Sequence, residues 1–155
     1  MTEIKVKVGD IAPQFTAPTT EGSKLSLNDI VSKKHVILYF YPKDDTPGCT
    51  KEACSFRDNL QRVKELGAEI IGVSVDDVQS HKKFTDKYHL PFTLVSDADK
   101  RISTDYGVLK DPGTYTNRVT FLIHKGGKIA KIFPKVDVNK HTEEIVAALK
   151  ELQDA

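Results

Sequence analysis

The chain has 155 residues, of which 39% are hydrophobic and 29% are charged, and its formal net charge is +1. This length and composition suit one folded domain with a hydrophobic core, and they exclude a disordered or fibrous chain. Because 23 basic residues are interspersed with 22 acidic ones, the sequence gives no electrostatic reason to expect binding to nucleic acid or to an anionic membrane.

The N-terminal segment MTEIKVKVGD lacks the apolar run of a signal peptide, and no later stretch approaches the ~20 apolar residues of a membrane span. We therefore expect a cytoplasmic protein. Its 2 cysteines are too few for a secreted disulfide scaffold. In a reducing compartment they are catalytic, metal-binding or buried residues, and their spacing has to decide among these roles.

The first half of the chain predicts a strand, a helix and a second strand, followed by another helix. Residues 36–41, VILYFY, form an uninterrupted β-branched and aromatic run, which is typical of a strand covered on both faces, and residues 70–75 fit the same description. Between them, an apolar stripe predicts one helix that ends at Gly67. A further helix is predicted over residues 78–88. The stripe consists of Ala53, Phe56, Leu60, Val63 and Leu66.

The second half predicts a β-hairpin and a final helix. Strands at 119–123 and 128–133 flank a turn at residues 125–127, and the helix covers residues 142–152. Alternating strands and helices favour an α/β fold, with helices flanking a central mixed sheet that carries its antiparallel hairpin at one side. No internal repeat or linker interrupts this pattern, so the sequence predicts one domain of three layers over residues 1–155.

The segment YPKDDTPGCTKEAC, residues 41–54, leads from the end of a buried strand into the first turns of a helix. Amide N–H groups in that first turn lack helical partners and carry a partial positive charge, which together favour a thiolate at Cys49. Gly48 allows a small ligand to approach the chain closely. The Thr46 hydroxyl is able to bond both the thiolate and an oxygen atom delivered to it. A fixed cation for the thiolate has to come from distant sequence.

Cys54 follows Cys49 by five residues, which on a regular helix corresponds to about 140° of rotation and about 7.5 Å of rise. The two Cα atoms are then about 8.6 Å apart, beyond the limit of about 7 Å for a disulfide. Any mechanism that joins the two sulfurs therefore requires the helix to unwind locally. The alternative interpretation is that Cys54 is a packed helix residue in a one-cysteine enzyme.

Other polar residues are interpreted as structural. We expect Asp44 and Asp45 to be turn residues, and Glu52 to support the helix start through a favourable interaction with the macrodipole. The histidines lack metal-ligand spacing, so we predict no metal site and expect all five at the solvated surface. They are His35, His81, His89, His124 and His141.

Pro42, Thr46 and Cys49 fit the pattern Pro-x-x-x-Thr-x-x-Cys, in which the chain resembles the active-site motif of the peroxiredoxin family. The longer string YPKDDTPGCTKEACSFRD is similar to the peroxiredoxin Q subfamily, also called bacterioferritin comigratory proteins. The resemblance continues through GDIAPQF, GVSVD, PFTLVSD and NRVTFLIHKGGKI, and so covers nearly the whole chain.

The resemblance implies a thioredoxin-like fold and a thiol peroxidase that reduces hydrogen peroxide and organic hydroperoxides with no cofactor. It also implies that Cys49 is the peroxidatic cysteine and Cys54 the resolving one, and that the two form a redox-active disulfide. Arg118 corresponds to the arginine that stabilises the thiolate and aligns the peroxide. The residues that match the family's peroxide site are Pro42, Thr46, Gly48, Cys49 and Arg118.

Thioredoxin or a similar dithiol is the reductant that the resemblance implies, in a role in antioxidant defence. No cysteine follows Cys54 in the sequence, so the chain lacks the C-terminal resolving thiol that obligate-dimer peroxiredoxins exchange between subunits. We therefore expect a monomer or a weak dimer.

Two other functions stay open at this point. A thiol–disulfide oxidoreductase shares the predicted fold, but its cysteines are separated by two residues rather than four, which lets them face each other within one helical turn. A non-catalytic redox sensor or chaperone, which changes shape through the same disulfide, is compatible with the sequence as an added role.

Overall fold

The structure is a computed structural model that describes residues 4–110 and 113–154. The described residues form nine strands and six helices. In chain order these are β1 (Thr16–Pro18), β2 (Lys24–Ser26), α1 (Leu27–Val31), β3 (His35–Phe40), α2 (Pro47–Asp58), α3 (Leu60–Glu65), β4 (Ala68–Ser74), α4 (Val78–Tyr88), β5 (Thr93–Ser96), α5 (Arg101–Tyr106), β6 (Leu109–Lys110), β7 (Tyr115–Thr116), β8 (Val119–Ile123), β9 (Ile129–Phe133) and α6 (His141–Asp154).

A five-stranded mixed sheet in the order β5-β4-β3-β8-β9 forms the centre of the structure. β3 pairs in parallel with β4, and β4 with β5, whereas β8 is antiparallel to both β3 and β9. The predicted mixed sheet with a hairpin at one side is confirmed. β8 has the predicted bounds, while β4 begins at Ala68 rather than at residue 70, because the pairing with β3 extends to Ala68 and His35.

Apolar side chains cover both faces of the sheet, which produces the predicted three layers. On one face, Ile37, Tyr39 and Leu122 belong to a core that includes residues of α2, α3, α4 and α6. On the other face, Leu38 and Phe40 pack with residues of α1 and α5. Successive residues of a strand point to opposite faces, so β3 supplies side chains to both cores and lies at the centre of the fold.

The prediction of one helix that ends at Gly67 is wrong at Asn59. This residue leaves helical geometry at φ −115° and ψ 11°, and it separates α2 from α3. Its side-chain amide donates a hydrogen bond of 2.9 Å to the Ser55 carbonyl, so the side chain competes with the backbone ladder at the end of α2. The apolar stripe survives the break, because Phe56 and Val63 are both fully buried.

Helix α4 has the predicted bounds, and α6 contains the predicted range 142–152. Asp77 caps the start of α4 by accepting a hydrogen bond of 2.8 Å from the Ser80 amide. His89 ends the helix in a left-handed conformation at φ 53°. The first turn of α4 contacts the loop after β3, where the Ser80 hydroxyl donates to Asp44 over 2.8 Å.

The sequence did not predict α1, α5 or the two small sheets formed by β1 with β2 and β6 with β7. These elements contain two to six residues each, which is too short for a recognisable hydrophobic period. In the described part of the chain, no helix is long and apolar enough to cross a bilayer.

Candidate active site

Cys49 lies in the first turn of α2, where the loop from the end of β3 enters the helix. Thr46 is the N-cap residue in an extended conformation, and Pro47 is the first helical residue. The first helical hydrogen bond joins the Thr50 amide to the Thr46 carbonyl over 2.8 Å, so the amides of Gly48 and Cys49 precede the ladder and have no acceptor within the helix. The Cys49 side chain is buried, with the residue 1% exposed. This local environment favours an anion at the sulfur.

Arg118 supplies the cation that the sequence required from a distant position. Its Nη2 donates to the Cys49 Sγ over 3.3 Å, and its Nη1 donates to Glu52 Oε1 over 2.8 Å. Arg118 immediately precedes β8, whose first residue, Val119, is the register partner of Phe40 at the end of β3. Burial disfavours the charged guanidinium, but Glu52 and Cys49 outweigh this effect and raise the pKa of Arg118 above its ordinary value. The sheet therefore brings a permanent positive charge to the thiol.

Gly48 is required by the closeness of Arg118. A Cβ atom added at this position lies 3.0 Å from Nη2 of Arg118, which is tighter than ordinary van der Waals contact. The sequence predicted that the absence of a side chain at Gly48 leaves space for a ligand. In the structure the guanidinium of Arg118 occupies the space beside Gly48.

Thr46 and Pro42 both lie in the loop that joins β3 to α2. The Thr46 hydroxyl donates a hydrogen bond of 2.9 Å to the carbonyl oxygen of Lys43. In this structure the hydroxyl proton therefore points into the loop rather than to the Cys49 sulfur, and only the oxygen lone pairs stay available to an incoming group. Pro42 is half-buried and follows Tyr41 at the end of the sheet.

Glu52 has a more specific role than support of the helix dipole. The residue is 1% exposed, and its Oε1 accepts the hydrogen bond from Arg118. Its Oε2 is buried without a hydrogen-bond partner among the described residues. Burial raises the pKa of Glu52 to about 7, although the neighbouring Arg118 opposes the shift. Glu52 therefore orients Arg118 while carrying only part of a full negative charge near neutral pH.

Comparison with known proteins identifies the family. Residues 8–132 match the model of the AhpC/TSA family. The chain belongs to this family. A protein named peroxiredoxin bcp from Coxiella burnetii is 49% identical over 94% of this chain and 100% of its own length. Peroxiredoxin Q, chloroplastic, from Gentiana triflora is 44% identical over 97% of this chain and 69% of its own length.

A solved structure of the bacterioferritin comigratory protein of Xanthomonas campestris, described for its alkyl peroxide reduction activity, has the same fold. It superposes with a TM-score of 0.84 and 32% identity, over 96% of this chain and 98% of the other. The resemblance to peroxiredoxin Q and the bacterioferritin comigratory proteins is thus confirmed, together with the thioredoxin-like fold. This peroxiredoxin is a thiol-dependent peroxidase, an oxidoreductase whose substrate is a peroxide and whose reductant is a dithiol.

Both cysteines of this peroxiredoxin are free thiols and lie on the same helix, α2. Cys49 is buried and Cys54 is half-buried. Since α2 runs without interruption from Pro47 to Asp58, the helical geometry that separates the two Cα atoms applies in this state. The reduced enzyme therefore holds its cysteines apart.

Two predictions about polar residues of the peroxiredoxin need correction, and a third needs an addition. Asp44 is a turn residue, as predicted, but it is also buried, with 7% exposure. His81 and His141 are buried as well, at 0% and 1% exposure, whereas they were expected at the surface. A sequence signal existed for His81, because it lies three residues before the buried Phe84 and therefore on the same face of α4. Asp45 is an exposed turn residue, as expected, and bonds Lys87 and Tyr88.

Glu52→Gln should change how stability depends on pH. The pKa of Glu52 rises from 4.5 to about 7 on folding, so the folded peroxiredoxin retains a proton that the unfolded chain releases in that window. The free energy of unfolding of the wild type should therefore fall as the pH rises from 4.5 to about 7. The limit is about 3 kcal/mol, at about 1.4 kcal/mol per pH unit. An amide does not titrate, so the variant should lack this component.

Urea unfolding of the reduced wild type and of Glu52→Gln, at about pH 5 and about pH 8, measures the difference. Gln keeps an oxygen acceptor for Arg118, so the variant is a matched control for the loss of charge alone. The same pH dependence in both proteins would contradict the assignment.

Proposed function

We propose that Cys49 is the peroxidatic cysteine, which attacks the terminal oxygen of hydrogen peroxide or an organic hydroperoxide. The single observation that carries this proposal is the contact of 3.3 Å between Arg118 Nη2 and the Cys49 sulfur. A permanent cation at a buried thiol in a helix start favours the thiolate, which is the reactive form. The alkyl peroxide reduction activity described for the Xanthomonas campestris relative supports organic hydroperoxides as substrates.

In the proposed first step, the thiolate forms an S–O bond as the O–O bond of the peroxide breaks. The leaving oxygen carries the displaced electron pair and takes a proton from solvent, which yields water or an alcohol and leaves a sulfenic acid on Cys49. Arg118 and the free amides of Gly48 and Cys49 favour the negative charge that develops on the leaving oxygen. Thr46 contributes its oxygen as an acceptor for the peroxide hydroxyl. Pro42 shapes the wall of the site.

We further propose that Cys54 resolves the sulfenic acid by condensation, which forms the Cys49–Cys54 disulfide and releases water. This step requires α2 to unwind, because a regular helix places the two Cα atoms farther apart than a disulfide allows. Two side-chain hydrogen bonds hold α2 to other elements beyond Cys54 and would break if the unwinding extended there. Ser55 Oγ bonds Thr142 Oγ1 over 2.6 Å, and Arg57 Nη1 donates a hydrogen bond of 2.6 Å to the carbonyl oxygen of Tyr88.

Thioredoxin or a similar dithiol then reduces the disulfide in this proposal. We propose that the chain acts as a monomer or weak dimer, since both cysteines of the cycle are supplied by one helix.

One domain over residues 1–155 is supported by the single central sheet, although residues 1–3, 111, 112 and 155 lie outside the described part. A cytoplasmic location is supported by the two free thiols. Because some relatives are named chloroplastic, cell fractionation is the direct test of the cytoplasmic location.

Cys54→Ser should separate the two steps of the cycle. We expect this variant to react with one equivalent of peroxide at the wild-type rate and then to stall with one added oxygen, because Cys49 keeps its environment but lacks a partner thiol. Wild-type protein treated in the same way should instead lose two hydrogens.

Stopped-flow mixing with hydrogen peroxide, followed by intact mass measurement under nonreducing conditions, distinguishes these products. Continued turnover by Cys54→Ser at the wild-type rate, with the dithiol present, would show that Cys54 is a packed helix residue. The peroxidase would then use a one-cysteine cycle.

A further inference from the structure

A buried polar pair contacts the loop that precedes Cys49 and takes no part in the peroxide chemistry proposed above. His81, in the first turn of α4, is 0% exposed, and Asp44, in the loop, is 7% exposed. The His81 Nδ1 lies 2.7 Å from Asp44 Oδ2. Polar groups this deeply buried are stable only when hydrogen-bonded, so their partners reveal their charge state.

Asp44 is bonded to three separate parts of the fold. Its carboxylate accepts hydrogen bonds from Tyr41 Oη at 2.5 Å and from Ser80 Oγ at 2.8 Å, in addition to the contact with His81. Its backbone amide donates a hydrogen bond of 2.8 Å to Oδ2 of Asp76, a residue that follows β4. The loop is therefore anchored to the end of β3, to α4 and to the residues after β4.

The partners of His81 determine its protonation. Its Nε2 lies 2.9 Å from the Val95 carbonyl oxygen, which only accepts, so Nε2 carries a hydrogen. Its Nδ1 lies 2.7 Å from Asp44 Oδ2, and one hydrogen lies between these atoms, because two lone pairs at this distance would repel each other. The hydroxyls of Tyr41 and Ser80 donate to the carboxylate and stabilise its ionised form, and an imidazole nitrogen is a stronger base than a carboxylate oxygen, so the hydrogen lies on Nδ1. Tyr41 Oη also lies 3.3 Å from Nδ1, but its hydrogen is donated to Asp44 over the shorter distance of 2.5 Å. Tyr41 keeps its proton, because burial raises the pKa of its hydroxyl well above the ordinary value. Nδ1 therefore carries a hydrogen as well, and the ring is an imidazolium.

A metal ion is a second interpretation of this cluster. Ligand atoms of Asp44, Asp76 and His81 lie within 4.8 Å of one another. However, both ring nitrogens of His81 are engaged, and Asp76 Oδ2 already accepts hydrogen bonds from the Asp44 amide and the Ser74 hydroxyl. Hydrogen bonds and one ion pair therefore account for the cluster.

We infer that His81 is a buried imidazolium that acts through Asp44 as a positioning residue for Cys49. This inference rests on the proposed peroxidatic role of Cys49. The connection from Asp44 to the helix is short, because Asp45 turns the chain at φ 57° and Thr46 is already the N-cap residue of α2. A shift of Asp44 is therefore transmitted to the helix start.

Loss of the imidazolium leaves the Asp44 carboxylate buried without a counter-charge, which strongly disfavours the packed loop. The loop then moves toward solvent, and the contact between Cys49 and Arg118 weakens. The equilibrium shifts from the packed form, which reacts with peroxide, toward the unwound form, which allows the disulfide to close. His81 thus biases the balance between the two halves of the proposed cycle.

Nitrogen NMR of the histidine side chains in the reduced protein tests the charge state without any peroxide. We expect both ring nitrogens of His81 to carry hydrogen in the folded, reduced protein. His141 is the internal reference, because it is equally buried, its Nδ1 has no hydrogen-bond partner among the described residues, and burial lowers its pKa. A neutral ring at His81, with one bare nitrogen, would overturn the inference.

Stopped-flow kinetics of His81→Gln tests the positioning role. The rate constant for oxidation of Cys49 should fall about 10–100-fold, since small displacements of reacting groups have effects of this size. Disulfide closure should be at least as fast as in the wild type. Asp44→Asn should show the same split, and the double variant should recover part of the loss because neither buried charge stays unpaired. An exposed carboxylate on the same helix as His81 provides the matched control, Asp86→Asn, which should stay within about twofold of the wild type.

A purely structural role predicts a different result, in which fewer molecules react but the two rate constants of the folded fraction are unchanged. That result overturns the inference, as does an equal loss in both steps. If His81→Gln does not fold, Tyr41→Phe removes a single donor to Asp44 and should slow oxidation of Cys49 about 3–10-fold. An unchanged rate in that variant also contradicts the inference.

Hydrogen exchange separates failure of this inference from failure of the proposed function. The amides in the first turns of α2 should exchange faster in His81→Gln than in the wild type, because the unwound form is more populated. If Cys49 of the wild type does not react with peroxide, the proposed function fails. The comparison of amide exchange between His81→Gln and the wild type still tests whether His81 stabilises the start of α2. Equal exchange in both proteins overturns the link.

Discussion

Replacement of Cys49 by serine should reduce peroxide consumption to the rate of a protein-free control. The serine hydroxyl is isosteric but does not ionise near neutral pH, so the nucleophile is absent even though the site is intact. The effect should be complete because Cys54, the other thiol of the chain, is half-buried, and the amides and the guanidinium that favour a thiolate lie at Cys49. Loss of peroxide in the presence of excess dithiol measures the activity.

Cys54→Ser is the matched control for this result, since it removes one sulfur from the same helix but should retain the first turnover. Circular dichroism should show that both variants are folded, because each substitution changes a single atom. Full turnover by Cys49→Ser would falsify the assignment of the peroxidatic cysteine. It would direct attention to Cys54 as the reacting thiol.

Arg118→Met should lower the rate constant for oxidation of Cys49 about 10²–10³-fold, the effect expected when a positioned donor is removed from a developing negative charge. The variant loses the contact of 3.3 Å with the sulfur and the hydrogen bond of 2.8 Å with Glu52. The sulfur and the leaving oxygen should then both lack their cation. Single-turnover kinetics of the reduced protein measures the first step directly.

Arg118→Lys and Arg101→Met are informative controls for this prediction. Lysine keeps the charge but lacks the planar guanidinium, whose two nitrogens contact Cys49 and Glu52 at the same time. We therefore expect an intermediate rate. Arg101 is exposed at the start of α5, and its replacement should have little effect on the reaction. A rate for Arg118→Met close to that of Arg101→Met would rule out the proposed role.

Stability has to be separated from chemistry in Arg118→Met, because the substitution leaves the buried Glu52 without its partner. The double variant Arg118→Met/Glu52→Gln removes both members of the pair. We expect the double variant to regain much of the free energy of unfolding but none of the reaction rate. Recovery of the rate together with stability would mean that Arg118 acts only through folding.

The imidazolium inferred at His81 is a second cation that acts on Cys49, through Asp44 rather than by direct contact. Arg118 stabilises the reacting group directly, whereas the imidazolium is inferred to stabilise the loop on which the reacting group depends. The two cations are expected to differ in their kinetic signatures. Loss of Arg118 should slow oxidation alone, while loss of His81 should slow oxidation and leave disulfide closure at least as fast.

Local features of the sequence were sufficient to single out Cys49 as the candidate nucleophile. Pro47 and Gly48 mark a helix start directly after an apolar strand, and that arrangement depends on backbone geometry within a few residues of Cys49. The same holds for β8 and α4, whose bounds were predicted correctly from hydrophobic runs and periodicity. Asn59 was missed because a side chain that bonds its own backbone leaves the hydrophobic stripe intact.

Arg118 was assigned from resemblance alone, since no local signal distinguishes an arginine at the start of a strand from one that extends into solvent. Its contact with Cys49 depends on the antiparallel pairing of β8 with β3, which brings together residues far apart in the chain. Glu52 and Gly48 acquired their particular roles only through that contact.

The sequence by itself therefore determined the fold class, the candidate nucleophile and the need for a distant cation, because each follows from local periodicity or local electrostatics. Only the tertiary structure decided which polar residues are buried. Asp44 lies in the predicted turn, but its burial and that of His81 are seen only where α4 packs against the loop and His81 bonds both Asp44 and the Val95 carbonyl of β5. Burial of a charged side chain depends on the groups that surround it in three dimensions, and the partners that make it tolerable come from other elements of the fold.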